Sequence, residues 1–345
     1  MLRLPFVLVF VALAFLSWGV YGPVLHLGQE AMGHSKWRPF MCVGMAYFLV
    51  AVIVPLALMG TRRESGKWSL GGIGWSLLAG AAGAIGALGI IFAFKFGGTP
   101  VYVMPIVFGM APVVNTLVTM WMTKSAAEIG PLFLTGVLLV AVGAAGVFVF
   151  KPNPVETQTV ASGDESETQT EQSASLIDLM KMILAVAVTV LCWGSYGPTL
   201  HKGQAKMEGS RLRPFLCVGV AYFLIAVIVP MVVLVTFGEQ SGDWTLRGIS
   251  WSVAAGVAGA VGALGIIMAF DFGGKPVFVM PLVFGGAPVV NTLTSLWGAR
   301  EISLMFFVSL VCVIAGAVCV LIFAPKGGPK PELSTAEPEP APATS

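Results

Sequence analysis

The sequence predicts an all-α polytopic membrane protein with ten transmembrane helices, arranged as two inverted five-helix repeats. The prediction depends on a strongly apolar composition, on evenly spaced apolar runs and on an internal duplication. Of the 345 residues, 57% are hydrophobic and 10% are charged, whereas soluble domains carry about 25% charged residues. So few charges cannot cover a water-soluble surface, and we therefore expect most of the chain to lie in lipid.

Charged residues collect in short segments between apolar runs of about 20 residues, the length that a helix needs to cross about 30 Å of hydrocarbon. The runs lie at 4–25, 39–59, 70–94, 101–122 and 130–150, then at 176–200, 214–237, 247–270, 277–297 and 302–323. The first run resembles a signal peptide in position. Its second part recurs in mid-chain, however, so we count it as a span.

The duplication covers nearly the whole chain. The segment WGVYGPVLHLGQ returns as WGSYGPTLHKGQ, and RPF, AVIVP and APVVNTL each occur in both halves. Because each half holds an odd number of spans, the second half must enter the membrane from the opposite side. We predict a first repeat at 1–150, an extracytoplasmic flexible linker at 151–175, a second repeat at 176–325 and a disordered cytoplasmic tail at 326–345.

Equivalent loops exchange their lysine and arginine content between the halves, as the positive-inside rule requires of an inverted repeat. After the first span come only Lys36 and Arg38, and after the sixth come Lys202, Lys206, Arg211 and Arg213. After the second span come Arg62, Arg63 and Lys67, and after the seventh comes Arg247. This distribution predicts that both termini are cytoplasmic, and we expect an integral protein of the cell (inner) membrane.

The fourth and ninth spans carry prolines inside the predicted helices, at matching positions of the two halves. An internal proline removes a backbone hydrogen bond, and paired broken helices often indicate a transporter binding site. The candidate solute-binding residues are Asn115, Thr116, Asn291 and Thr292, with Pro112 and Pro288 as candidate gating residues. Alternatively, the asparagines make interhelical hydrogen bonds that stabilise packing by about 1 kcal/mol.

Aromatic residues recur near the ends of the first and sixth spans. Trp18, Tyr21, Trp193 and Tyr196 are candidate stacking surfaces for a solute, although aromatic residues near helix ends are more often interfacial anchors. His26 and His201 follow them and are candidate coupling or gating residues. The alternative is that both histidines lie at the level of the lipid headgroups.

Glycine recurs every third residue in the third and eighth spans, at Gly80, Gly83, Gly86, Gly89, Gly256, Gly259, Gly262 and Gly265. Small residues let helix backbones approach closely in lipid. Close packing is therefore the simpler interpretation. The alternative is that the same rows leave room for a solute.

Several function classes are disfavoured. No HExxH or GxSxG motif is present, the five cysteines lie in or beside apolar runs away from metal-ligand spacing, and the net charge is only +2. We therefore expect no enzyme activity, no cofactor, no metal and no nucleic-acid partner. The expected partners are the lipid bilayer and a small-molecule solute, and we expect a monomer or homodimer.

The passages GGTPVYVMPIVFGMAPVVNTLVTMW and GGKPVFVMPLVFGGAPVVNTLTSLW, each followed by an apolar fifth helix, resemble the drug/metabolite transporter superfamily and its EamA-like permeases. This resemblance covers nearly the whole chain. It implies a transporter that works by alternating access, in which helices 1, 3, 4, 6, 8 and 9 line a central cavity.

The predicted function is a secondary transporter, or permease, of a small neutral or zwitterionic polar metabolite. The predicted spans hold almost no charge away from their ends, whereas a strongly charged solute usually requires an intramembrane charge. Two alternatives remain open: an intramembrane enzyme that acts on a lipid substrate, and a membrane receptor or scaffold that transports nothing.

Overall fold

A computed structural model describes residues 3–61, 64, 66–124, 129–151, 165–239, 242–274, 276–296 and 303–324. Within these residues the protein is helical and contains no strand. Nine of the described helices are long and apolar enough to cross a membrane, and a further apolar helix, Val279–Ser295, is shorter. The prediction of an all-α, multi-pass integral membrane protein is confirmed at this level.

We number the helices in chain order. They are α1 (Arg3–Ala31), α2 (Trp37–Thr61), α3 (Leu70–Lys95), α4 (Pro100–Thr123), α5 (Pro131–Val149), α6 (Glu165–Lys206), α7 (Leu212–Phe237), α8 (Leu246–Asp271), α9 (Pro276–Ser295) and α10 (Leu304–Ile322). The α7 helix contains one π turn, Leu224–Ile228. Ser69 and Thr245 cap α3 and α8 by accepting hydrogen bonds from Gly72 N and Gly248 N.

The α6 helix begins at Glu165, within the segment that we predicted as a linker at 151–175. The sequence ESETQTEQSAS that opens the helix contains neither glycine nor proline, so nothing in it interrupts a helix that continues into the apolar span. Residues 152–164 and the predicted tail at 326–345 lie outside the described residues.

The helices form two four-helix bundles, and each bundle takes helices from both halves of the sequence. In the first bundle, α1 packs chiefly on α8 and α9, and α2 packs on α8. In the second bundle, α6 packs chiefly on α3 and α4, and α7 packs on α3. The bundles meet mainly where α2 crosses α7, and α5 packs against α10 beside them.

The glycine rows of α3 and α8 make the close packing within each bundle. A Cβ atom added at Gly86 would lie 2.2 Å from the Trp193 ring, and one added at Gly262 would lie 2.2 Å from the Trp18 ring. Both glycines therefore provide the space in which a tryptophan of the neighbouring helix sits. Close packing accounts for the positions of Gly86 and Gly262, whereas Gly83 and Gly259 of the same rows line a cavity between the bundles.

Two glutamates stabilise the N-terminal ends of α2 and α7. Glu239 accepts hydrogen bonds from Lys36 N at 2.9 Å and from the Arg38 guanidinium at 3.1 Å. Glu64 does the same with Leu212 N at 2.8 Å and the Arg213 guanidinium at 3.0 Å. A carboxylate is favourable at a helix N-terminus, where backbone N–H groups have no helical acceptor.

These glutamates mark the two ends of the molecule. We call the end that carries Glu64, with the segments after α2 and α6, the Glu64 face. We call the end that carries Glu239, with the segments after α1 and α7, the Glu239 face. The Arg211–Asp271 ion pair, with 3.1 Å between its atoms, places the end of α8 at the Glu64 face as well.

Candidate functional site

A cavity of about 440 Å³ lies between the two bundles. Its volume falls within the range of about 300 to 1,000 Å³ that is typical of small-molecule sites. Residues of α1, α3, α4, α6, α8 and α9 line it, as the family resemblance implied, and α2 and α7 contribute as well. The cavity is therefore bounded by all eight helices of the bundles.

Two ring pairs stand at the centre of the cavity, and each joins equivalent residues of the two halves. Tyr47 of α2 stacks on Tyr222 of α7, with ring centroids 3.8 Å apart and planes 2° from parallel. Phe108 of α4 meets Phe284 of α9 at 6.3 Å. Sequence reasoning missed these residues, although Tyr47 and Tyr222 follow the repeated RPF segments at the same spacing.

The four aromatic residues that we predicted from the sequence all line this cavity. The Trp18 indole donates a hydrogen bond to Gly259 O at 3.1 Å, and the Trp193 indole donates one to Gly83 O at the same distance. Tyr21 lies beside the Trp193 ring, with centroids 6.0 Å apart. These aromatic residues, with Tyr196, thus face the interior rather than the lipid headgroups.

The cavity extends from this centre toward the Glu64 face only. Thr123, Gln204 and Phe270 line it and lie at or near the C-terminal ends of α4, α6 and α8. At the Glu239 face, the counterparts of Gln204 and Phe270 are Gln29 and Phe94, which are 0% and 3% exposed. The same pair of residues is thus accessible at one face and buried at the other.

The two predicted asparagines also differ in accessibility. Asn115 lines the cavity, whereas Asn291 is fully buried and donates a hydrogen bond to Pro100 O at 2.8 Å. The neighbouring threonines do not line the cavity. Both are buried, and Thr116 donates to Pro112 O, one turn back in its own helix, at 2.9 Å. Thr292 is likewise buried beside Asn291.

The predicted coupling and gating residues are also separated. His26 lies 3.1 Å from the Glu30 carboxylate and packs edge-on against Phe94. His201 lines the cavity, and the chain has Ala205 where the first half has Glu30. The gating candidates Pro112 and Pro288 are buried inside α4 and α9, away from the cavity wall.

Among the described residues, those that line the cavity include no Asp, Glu, Lys or Arg. Their polar groups are tyrosine and threonine hydroxyls, the amides of Asn115 and Gln204, and the His201 imidazole. Within the described part of the chain, no group of three or more His, Cys, Asp or Glu side chains could hold a metal ion. The wall is therefore aromatic and aliphatic, with a few dispersed hydrogen-bonding groups.

Comparison with known proteins yields a likeness in fold. No family model matches the sequence, and no curated protein matches it. One protein of known crystal structure is similar at a TM-score of 0.53 and 17% sequence identity, over 93% of this chain and 98% of the other. At this identity the likeness concerns the arrangement of the helices alone.

Proposed function

We propose that this protein is a secondary transporter that moves a small solute across the membrane by alternating access. The observation that carries the proposal is the one-sided cavity between two pseudo-equivalent bundles. Gln204 and Phe270 line the cavity at the Glu64 face, and their identical counterparts Gln29 and Phe94 are buried at the Glu239 face. A rocking movement of one bundle against the other would exchange the two environments, which is how inverted repeats produce alternating access.

We propose ten spans in two inverted five-helix repeats, in which the shorter apolar helix α9 crosses the membrane together with the nine longer helices. Equivalent contacts of the two halves support this arrangement. The Trp18 and Trp193 indoles bond equivalent glycines, and the Glu239 and Glu64 carboxylates cap equivalent helices at opposite faces. A direct repeat would bring both caps to the same face.

The proposed solute is small, polar and either neutral or zwitterionic, with a flat or apolar part. The described part of the cavity wall supports this, because it offers ring faces and dispersed hydroxyl and amide groups but no carboxylate, ammonium or guanidinium. An intramembrane charge is the usual means of binding a strongly charged solute. A resemblance to the drug/metabolite transporter superfamily remains part of this proposal.

The alternative of an intramembrane enzyme has less support. His26 pairs with Glu30 near the Glu239 face, whereas His201 lines the cavity toward the Glu64 face. The two histidines therefore do not converge on one site, as a shared acid and base would have to.

Transport by the purified protein in proteoliposomes tests the proposal. The parent protein should give saturable uptake of at least one member of a panel of neutral and zwitterionic metabolites. Ala263→Phe places a ring in the cavity and should abolish this uptake, whereas Ala57→Phe, on the exposed side of α2, should leave it intact. Absence of uptake across the panel by well-folded parent protein would contradict the proposal.

We also propose that the protein lies in the cell (inner) membrane with both termini in the cytoplasm, so that the Glu64 face is cytoplasmic. In a variant without the five native cysteines, Ser162→Cys should react with an impermeant reagent in intact cells and Ser334→Cys should not. Reaction at position 334 alone would reverse the orientation, and reaction at both positions would require an even number of spans between them rather than the proposed five.

A further inference from the structure

The paired glutamines at the ends of α1 and α6 differ in their contacts. Gln29 is fully buried, and its amide donates a hydrogen bond to Ile91 O at 3.0 Å. Its counterpart Gln204 is half-buried and lines the cavity. Among the described residues, no protein group accepts a hydrogen bond from the Gln204 amide, so the same side chain is bonded in one half only.

The Gln29 bond joins the two bundles. Gln29 belongs to α1 of the first bundle, and Ile91 belongs to α3 of the second. The Asn291 bond to Pro100 O likewise runs from α9 of the first bundle to α4 of the second. Both bonds lie near the Glu239 face, where the cavity is closed, and both use a side-chain amide whose counterpart lines the cavity.

The helices at the crossing of the bundles differ as well. The segment Leu224–Ile228 of α7 forms a π turn, whereas the equivalent segment of α2, residues 49–53, is a regular α-helix. A π turn inside a helix commonly marks a functional site. Because α2 and α7 carry the stacked Tyr47 and Tyr222 rings, this difference lies at the contact about which the bundles would rock.

We propose that Gln29 and Gln204 are alternating gating residues. In the conformation described above, Gln29 holds α1 against α3 and closes the Glu239 face. In the opposite conformation, Gln204 donates to Ile267 O, the counterpart of Ile91 O, and closes the Glu64 face, while Gln29 is released to the cavity. Asn291 and Asn115 alternate in the same sense. The inference rests on the proposed transport function, but its test measures conformation and requires no solute.

Buried polar atoms at the closed face support the exchange. The Gln29 Oε1 and Asn291 Oδ1 atoms are buried without a hydrogen-bond partner among the described residues. Each such atom disfavours the closed conformation, because a buried polar atom without a partner is costly. Opening the Glu239 face would expose these atoms to water and remove this cost. The two amide hydrogen bonds across the bundles therefore stabilise the closed conformation against a term that favours opening.

The test compares the same substitution at equivalent positions. Gln29→Met and Gln204→Met preserve side-chain length and remove the hydrogen-bond donor. Reporters are Ile90→Cys, at a site that is 0% exposed near the closed face, and Ile266→Cys, at the equivalent site in the cavity wall. Each reporter is made in a variant without native cysteines, and its reaction rate with a water-soluble thiosulfonate is measured in lipid nanodiscs.

The two glutamine substitutions should change the ratio of the Ile90→Cys rate to the Ile266→Cys rate in opposite directions. Gln29→Met should raise it by about three- to tenfold, the factor expected from one hydrogen bond, and Gln204→Met should lower it. The double substitution should return the ratio toward the parent value, because each conformation then loses one bond.

Changes of the ratio in the same direction with both substitutions, or no change with either, would overturn the gating proposal. A rise of both rates with Gln29→Met would also overturn it, because general loosening rather than exchange would be the cause. Opposite responses in a protein that transports no member of the solute panel would support the gate and contradict the transport function, so the two failures are distinguishable.

Discussion

The Glu239 face and the Glu64 face carry several pairs of equivalent residues, some of which make the same contacts at both faces and some of which do not. At both faces a glutamate caps a helix and pairs with an arginine. Only at the Glu239 face do the amides bond across the bundles, through Gln29 and Asn291. Since the two glutamines are chemically identical, as are the two asparagines, the difference in their bonds is one of conformation.

This comparison separates two classes of paired residue. Scaffold pairs, such as the glutamate caps and the glycines that pack against Trp18 and Trp193, have the same surroundings in both halves. Gating pairs, such as the glutamines and asparagines, do not. Substitutions at scaffold pairs should therefore have similar effects in the two halves, and substitutions at gating pairs should have unequal effects.

The largest effect is expected at the glutamate caps. Glu239→Ala and Glu64→Ala each remove the carboxylate partner of a mostly buried arginine, and removing one partner of a buried ion pair costs up to about 3 to 5 kcal/mol. The free energy of unfolding in mixed detergent micelles should fall by amounts of this size. Glu208→Ala is the control, because that ion pair with Lys67 is exposed and should matter little.

The two cap substitutions should give comparable losses, with Glu64→Ala somewhat smaller, because the Glu64 side chain is 15% exposed and that of Glu239 is 5% exposed. A large loss at one position and none at the other would show that the caps are not an equivalent pair. The classification of the glutamate caps as a scaffold pair would then be wrong.

The next effect concerns the glycines that seat the tryptophans. In Gly262→Ala and Gly86→Ala the new methyl group would lie 2.2 Å from an indole ring that is held by its own hydrogen bond. Overpacking of this kind destabilises by up to about 3 kcal/mol. Thermal unfolding should show similar losses for the two variants.

Gly74→Ala is the matched control, because nothing lies within 4 Å of a Cβ atom added there. In an exposed helical position, alanine is more favourable than glycine by about 0.5 to 1 kcal/mol. Gly74→Ala should therefore keep or raise the stability. If Gly74→Ala lowered the stability as much as Gly262→Ala does, glycine would be required in α3 for the backbone conformation and not for the space that it leaves for an indole ring.

The features that could be predicted from the sequence are those that recur along the chain. The spans follow from apolar runs, and Trp18 and Trp193 were identified because they recur with their neighbours. The cavity wall was predicted only in part: Tyr47 and Tyr222 lie in α2 and α7, in which no candidate solute-binding residue was predicted. Their pairing arises where α2 crosses α7, and a crossing of helices leaves no local pattern in the sequence.

The asymmetry of the cavity could not be predicted from the sequence at all. Gln29 and Gln204 occur in nearly the same local sequence, so propensity, hydropathy and spacing assign them the same environment. One of them is buried because the two bundles tilt toward each other at one face. The apolar span begins at Ser175, beside the predicted start at 176, and the helix that contains it extends back to Glu165 because the polar residues before the span have sufficient helix propensity.

The smallest effect, about 1 kcal/mol, is expected at the asparagines and distinguishes the two faces most directly. Asn115 lines the cavity, so Asn115→Ala should weaken the binding of a transported solute by about the net value of one hydrogen bond. Asn291 is buried and bonded to Pro100 O, so it cannot contact a solute in this conformation. Asn291→Ala should instead favour opening of the Glu239 face, by a similar or smaller amount.

Titration calorimetry with a solute identified by uptake measures the first effect, and the Ile90→Cys reaction rate measures the second. Equal losses of solute affinity in the two variants would place both amides against the solute at once, and the two faces would then not alternate.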